Sequence, residues 1–184
     1  GSVFDSDYWC EENIEDIKSR LEKITSFAHF HKRKEIENYL LNPIVLQRAL
    51  DKKLKEEARR LQKTPEKPID IFSILDIITK PMKHDIQGQY ISKRTEYLDK
   101  TSIDSATIAS ETSEKMDKLW SDLQTRMEIV PGKDVLRKLR ETIQNKHSIT
   151  LTNIQIINSY KPEEIPMDML KLLQLLETFR QQET

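Results

Sequence analysis

Two aspartates, Asp5 and Asp7, close the short run Val3-Phe4-Asp5-Ser6-Asp7-Tyr8-Trp9. In an extended strand, residues two apart point to the same side, so the two carboxylates could share one Mg²⁺ or Mn²⁺, cations that take hard oxygen ligands. A cation held there would activate water and neutralise charge on a phosphate under attack. The plainer alternative is that Asp-x-Asp caps the helix that follows. Lys133 is the second candidate. It follows Gly132, where the backbone can approach a ligand closely, and a lysine beside free N–H groups at a helix start suits an anionic phosphate. An ordinary turn with a solvated lysine is the competing reading. The third candidate is KRKEIENYLLNP, in which Arg33, Glu35, Glu37 and Asn38 could stand at or behind a metal site, or simply form a charged, solvated helix start. His29, His31, His84 and His147 have no metal-ligand spacing, and His29 and His31 with Cys10 would make at best a weak zinc site. No Walker A loop, nucleophile signature or dinucleotide fingerprint is present.

The framework around these residues reads as mostly helical. Val3 to Trp9 reads as a strand ending in acidic residues. Ile14, Ile17, Leu21 and Ile24 recur at helical spacing and predict a helix from about Glu11 to Ser26. After an apolar interlude, Phe27 to Phe30, EIENYLLNP forms a helical turn stopped before Pro43, and Pro43 opens a helix running to about Gln62. KTPEKP, residues 63–68, is a polar linker. A helix from about Ile69 meets Pro81, which ends or kinks it, and a continuation runs from Lys83 to about Lys100. Ser105 to Met127 is a further helix with Ile108, Met116, Leu119, Trp120 and Leu123 as its apolar face. Met127 to Val130 is short and apolar and reads as a second strand. Pro131-Gly132-Lys133 then turns into a helix to about Asn145, and two more helices lie near Leu151–Ser159 and Pro166–Gln181.

Composition agrees with this reading. Hydrophobic residues make up 36% and charged residues 33%, and three glycines leave few tight turns for a large sheet. Thirty basic residues against 31 acidic give a net charge of −1, which disfavours a protein that coats nucleic acid through bulk charge. Cys10 is the only cysteine, so no internal disulfide forms, and a cytoplasmic setting is expected. No apolar run reaches the roughly 20 residues that span a bilayer. Gly1-Ser2 has the look of a cloning remnant, with the natural sequence entered at Val3.

The order of the elements resembles the OLD (overcoming lysogenisation defect) family, in which an N-terminal ABC-type ATPase precedes a Toprim nuclease domain. The resemblance rests on VFDSDYW, then KRKEIENYLLNPIVLQRAL, a helical stretch, MEIVPGKDVLRKL and EEIPMDMLKLLQLLE, and spans about Val3 to Glu177. It implies a mainly α multi-helix domain with one or two short strands left over from a truncated Toprim α/β domain. Residues 1–41 would carry the D-x-D and EIENYLL elements, 42–126 a helical insertion, and 127–184 the last Toprim strand with its G-K and the C-terminal helices.

By the same resemblance, Asp5 and Asp7 would bind Mg²⁺ or Mn²⁺, Lys133 would meet the scissile phosphate, and Glu37 (or Glu35) would be the site glutamate. The first-strand glutamate that Toprim domains place upstream of D-x-D has no counterpart here, so the chain by itself is expected to lack nuclease activity. The Val3–Asp7 strand, without its neighbours, is expected to be displaced or paired with another copy. Implied partners are DNA, the parent's own ATPase domain and a second copy, with anti-phage defence as the setting. Lys52, Lys53, Lys55, Arg59 and Arg60 could contact phosphates, or, with Glu56 and Glu57 interleaved, form an ordinary solvated face. The alternative is a non-catalytic helical interaction or dimerisation module, presenting Leu119-Trp120-Leu123 or Leu170-Leu173-Leu176. A sequence-specific DNA-binding domain has little in its favour, since no helix shows a recognition-face pattern.

Overall fold

The computed structural model describes residues 1–62, 69–98 and 104–182, so KTPEKP and Lys100 lie outside the described residues. The chain is mainly α, as the composition and periodicity imply. Its one sheet among the described residues has two strands, β1 (Ser2–Phe4) and β2 (Ala28–Phe30), joined through helix α1 (Glu11–Leu21). The strands run parallel, with Ser2 opposite Ala28 and Phe4 opposite Phe30. The N-terminal strand is therefore paired within its own chain, not displaced. Its partner segment, Phe27 to Phe30, carried no strand expectation, because three residues are too short to show alternation. The Phe4 and Phe30 rings stack 4.9 Å apart on one side of this pair.

Helix α1 ends at Leu21 rather than Ser26. The Thr25 hydroxyl donates to the carbonyls of Leu21 and Phe27, which turns the chain out of the helix and into β2. A 3-10 turn (Ile36–Leu40) follows, and then α2 (Pro43–Arg60), whose Asn42 cap accepts the N–H groups of Ile44 and Val45. Helix α3 (Ile71–Thr79) stops where Pro81 cannot donate to a continuing ladder, and a 3-10 turn (Lys80–Met82) hands the chain to α4 (Lys83–Leu98).

The expected single helix from Ser105 to Met127 is two: α5 (Ser105–Ser121) and α6 (Leu123–Ile129). Asp122 is extended (φ −114°, ψ 133°) and its carboxylate caps the Thr125 N–H, so it ends one helix and starts the next. Met127 to Ile129 therefore belong to α6, and the expected last strand is not formed. Met127, Ile129 and Val130 are buried, and an apolar run with no strand beside it has nothing to satisfy an extended backbone. Lys133 follows a corner between two helices, α6 and α7 (Gly132–His147). The C-terminal part is α8 (Asn153–Ile157), opened by a Thr152–Gln155 capping box, then a 3-10 turn (Pro162–Glu164) and α9 (Met167–Gln182).

One hydrophobic cluster draws on all three sequence segments. Tyr8 and Leu41 come from the first, Val45, Leu50, Leu75 and Trp120 from the second, and Met127, Leu139, Ile143 and Ile156 from the third. Near the end of the chain packing thins. Of the five leucines of α9 only Leu172 is buried, while Leu173, Leu175 and Leu176 are exposed. No described helix is long and apolar enough to cross a membrane.

Candidate functional site

Strand β1 stops at Phe4, so Asp5 stands just beyond its carboxyl end, where parallel strands commonly present their ligand-binding groups. Asp7 is not its same-side neighbour on a strand. Asp7 (φ 48°) and Tyr8 (φ 73°) are both left-handed, and the chain turns there toward α1. Shared coordination of one cation by two strand carboxylates, the geometry expected from the spacing, is thus absent. Each aspartate is engaged separately. Asp5 Oδ1 accepts the Ile36 N–H at 3.0 Å, and Asp7 Oδ1 lies 3.4 Å from Lys34 Nζ.

What converges instead is a chain of charges from three distant segments. Lys34 Nζ reaches Glu35 Oε1 at 2.5 Å, and Glu35 Oε2 accepts the Lys133 backbone N–H at 3.0 Å. Asp7, Lys34, Glu35 and the first turn of α7 thus form one connected line, with Asp5 one residue beyond it through Ile36. Burial by itself would raise the Glu35 carboxyl. The Lys34 hydrogen bond, the Lys133 N–H and both lysine charges outweigh that and hold it below the ordinary carboxylate value. Glu35 therefore caps α7 as an anion, where the helix dipole favours one. Lys133 does sit at a helix start, as expected, but its N–H is already occupied by this internal carboxylate.

Glu37 stands apart. It shares none of these hydrogen bonds, and its Oε2 is enclosed without a partner among the described residues. Of the two candidate glutamates it is Glu35 that the fold brings to Lys133.

Asn38 holds the arrangement in place. It is fully buried, its Oδ1 accepts the Glu35 N–H at 2.8 Å, and its Nδ2 donates to the carbonyls of Met127 (2.7 Å) and Val130 (2.8 Å). Gly132 permits that approach, since a Cβ there would meet Asn38 Oδ1 at 2.7 Å and Asn38 N at 2.9 Å. Arg33, also buried, donates to the Asn38 carbonyl at 2.9 Å and reaches Glu128 at 3.4 Å. Of these, Lys34 was passed over in sequence because it sits in a run of four basic residues that reads as solvated. Its one distinguishing sign is its place next to Glu35.

The donor set has the right chemistry for Mg²⁺ or Mn²⁺ but does not fit one as arranged. Both Glu35 oxygens and one oxygen of each aspartate are taken by the protein's own lysine or N–H groups. Among the described residues no group of three or more His, Cys, Asp or Glu is placed to hold a metal ion. The weak zinc expectation at Cys10, His29 and His31 likewise finds no such group.

The two histidines have another consequence. His29 in β2 and His31 just beyond its end have their ring centroids 5.4 Å apart, and His31 is buried. His29 Nε2 and His31 Nδ1 are enclosed without hydrogen-bond partners among the described residues. Burial lowers both pKa values below the ordinary 6.5, and His31 lowers His29 further. Lys18 acts on His29 in the same direction, whereas Asp5 and Asp168 oppose the shifts only in part. The unfolded chain therefore takes up protons first as pH falls through about 6.5, and stability is lost over that window while being fully present above it. Glu35, with its lowered pKa, contributes its loss only further down, below the ordinary carboxylate range. The melting temperature is expected to fall between pH 7.5 and 5.5, and to fall less in His31→Gln. A flat profile in the parent chain would contradict the burial of neutral histidines.

The Tyr39 hydroxyl donates to Asp168 of α9, and Tyr160 donates to the Tyr39 carbonyl, which ties the 3-10 turn to the C-terminal elements. Burial pushes the Tyr160 phenol up to about 12. No family model matches the chain, and no curated protein and no solved structure matches it either.

Proposed function

We propose that this chain is the C-terminal part of a metal-dependent DNA nuclease that works with an ABC-type ATPase, and that Asp5, Asp7, Glu35 and Lys133 mark its phosphate-handling edge. The observation that carries this reading is the convergence of these four residues, the first and last more than a hundred positions apart in sequence, beyond the carboxyl end of a parallel strand. Glu35 takes the role that the family resemblance gives first to Glu37. Because the carboxylates satisfy internal partners, the reading calls for at least one further carboxylate from outside the described set, and the 184-residue chain alone is inactive. Anti-phage defence is the setting that the family resemblance suggests.

The test uses the parent protein and supercoiled plasmid with Mg²⁺ or Mn²⁺. Asp7→Asn and Lys133→Ala are each expected to slow nicking by about 100-fold or more, as loss of one charge-stabilising group does, with the melting temperature little changed. Nicking that persists in both variants, or is absent with either metal, removes the reading. A second reading, a non-catalytic interaction module, is favoured by the exposed leucines of α9, since a helix apolar on several faces is ordinarily covered.

A further inference from the structure

The carboxylates beyond β1 already share a cation of the chain's own, the ammonium of Lys34. Its Nζ lies 2.5 Å from Glu35 Oε1, 3.4 Å from Asp7 Oδ1 and 4.9 Å from the centre of the Tyr8 ring. We propose that Lys34 is a lock on this edge. Its ammonium fills the position between Asp7 and Glu35, and a divalent cation reaches the two carboxylates only when the lysine side chain leaves.

Three features set this lysine apart from a surface ion pair. It is enclosed, with the Lys34 side chain 10% and the Glu35 side chain 13% exposed, so parting them would leave a poorly solvated charge behind. Its main chain is fixed from two sides. The Asp7 N–H donates to the Lys34 carbonyl, the Lys34 N–H donates to the Glu128 carbonyl, and the Ser6 hydroxyl holds the Arg33 carbonyl beside it. The third feature is strain. Asp7 (φ 48°) and Tyr8 (φ 73°) are left-handed in succession, a backbone that non-glycine residues keep only where their surroundings impose it. Both strained residues meet the same charge, Asp7 through its carboxylate and Tyr8 through its ring face.

An ammonium and a divalent cation compete here for the same atoms. Glu35 Oε1 and Asp7 Oδ1 are hard oxygens on two carboxylates that face one point, and Mg²⁺ is commonly held by one or two carboxylates with water completing its shell. The lysine charge opposes a second cation as well as blocking it. A divalent ion about 4 Å from an ammonium is disfavoured roughly thirtyfold even with the screening of bulk water. Lys133 adds positive charge on the other side of Glu35, and Asp5, further along the line, is engaged by the Ile36 N–H.

The lock rests on the nuclease reading for its purpose but is measured without DNA and without cutting, so failure of the plasmid assay and failure of the lock are separate results. Mn²⁺ is titrated into the full chain at pH 7.5, and the free ion is followed by electron paramagnetic resonance. The parent chain should bind no more Mn²⁺ than its Asp7→Asn variant. Lys34→Met should bind Mn²⁺ about tenfold more tightly than the parent or better. Adding Asp7→Asn to Lys34→Met should abolish that gain, and Lys34→Arg, which keeps the charge, should behave as the parent. Lys34→Met should also melt at a lower temperature, because Glu35 loses its counter-charge. Mn²⁺ should raise that temperature again by mass action and leave the parent's unmoved. Lys34→Gln supplies the same comparison if Lys34→Met shows no cooperative melting. Mn²⁺ binding in the parent that Asp7→Asn removes, equal affinity in Lys34→Met and the parent, a gain shared by Lys34→Arg, or a gain that survives Asp7→Asn would each overturn the proposal.

Discussion

Asn38→Ala is expected to destabilise the fold by about 3 kcal/mol, because a buried polar group that loses its partners costs its full desolvation penalty. The side chain is fully buried and makes three hydrogen bonds, to the Glu35 N–H and to the Met127 and Val130 carbonyls. Alanine removes all three and leaves one donor and two acceptors without water to replace them, each at roughly 1–3 kcal/mol before relaxation. Partial collapse recovers some of this, which is why the total falls below the simple sum. Gly132→Ala attacks the same contact from the other side. Its Cβ would press on the Asn38 backbone as well as the side chain, and backbone does not swing aside, so about 1–3 kcal/mol is expected. Urea unfolding at pH 7.5 reads both. The double variant should be less than additive, since alanine at position 38 removes the Oδ1 atom that the new Cβ would meet. A surface site would change stability by no more than about 0.5 kcal/mol. An Asn38→Ala effect that small, or strict additivity, would mean that the α6–α7 corner is not held by this side chain.

The second large effect is at Arg126. Its guanidinium, in a residue only 7% exposed, reaches Asp76 Oδ1 at 2.6 Å, Thr79 Oγ1 at 3.3 Å and the Trp120 carbonyl at 2.9 Å, and lies 5.2 Å from the Trp120 ring centroid. Helices α3, α5 and α6 meet at this one side chain. Arg126→Ala leaves a void and an unanswered carbonyl, for an expected loss of about 3 kcal/mol. Asp76→Ala takes the carboxylate from a buried guanidinium but leaves its bonds to Thr79 and the Trp120 carbonyl, and should cost about 1–2 kcal/mol, less than Arg126→Ala. Comparable losses in the two variants would show that the ion pair matters more than the buried carbonyl and ring contacts.

Arg126 also shows where the sequence stops informing. It sits between Leu123 and Met127 in a segment whose apolar spacing is plain, and an arginine there reads as the polar side of a helix. Only the crossing of three helices turns that position inward. Asp122 is the same kind of case. Aspartate is tolerated inside an exposed helix and favourable at a cap, and local spacing does not choose between the two. Burial of both Trp120 and Met127 in the one core cluster makes the choice. The missed strand β2 and the misread segment Met127–Val130 share a physical cause, since a short apolar run takes its conformation from what lies beside it.

Local residue patterns carry the mainly α character, through sustained 3.6-residue periodicity in α2, α3, α5 and α7. They also carry four helix starts, those of α2, α3, α5 and α8, through Asn42, Asp70, Asp104 and Thr152 as caps. Residue type and immediate neighbours were enough to put Asp5, Glu35 and Lys133 on a short list of candidates. Three outcomes came only with the folded chain: β1 pairs with β2, Asp7 turns away through left-handed backbone to meet Lys34, and Glu35, not Glu37, reaches α7. They depend on contacts between residues up to 98 positions apart, and local spacing carries no information about which distant backbone N–H a carboxylate will find.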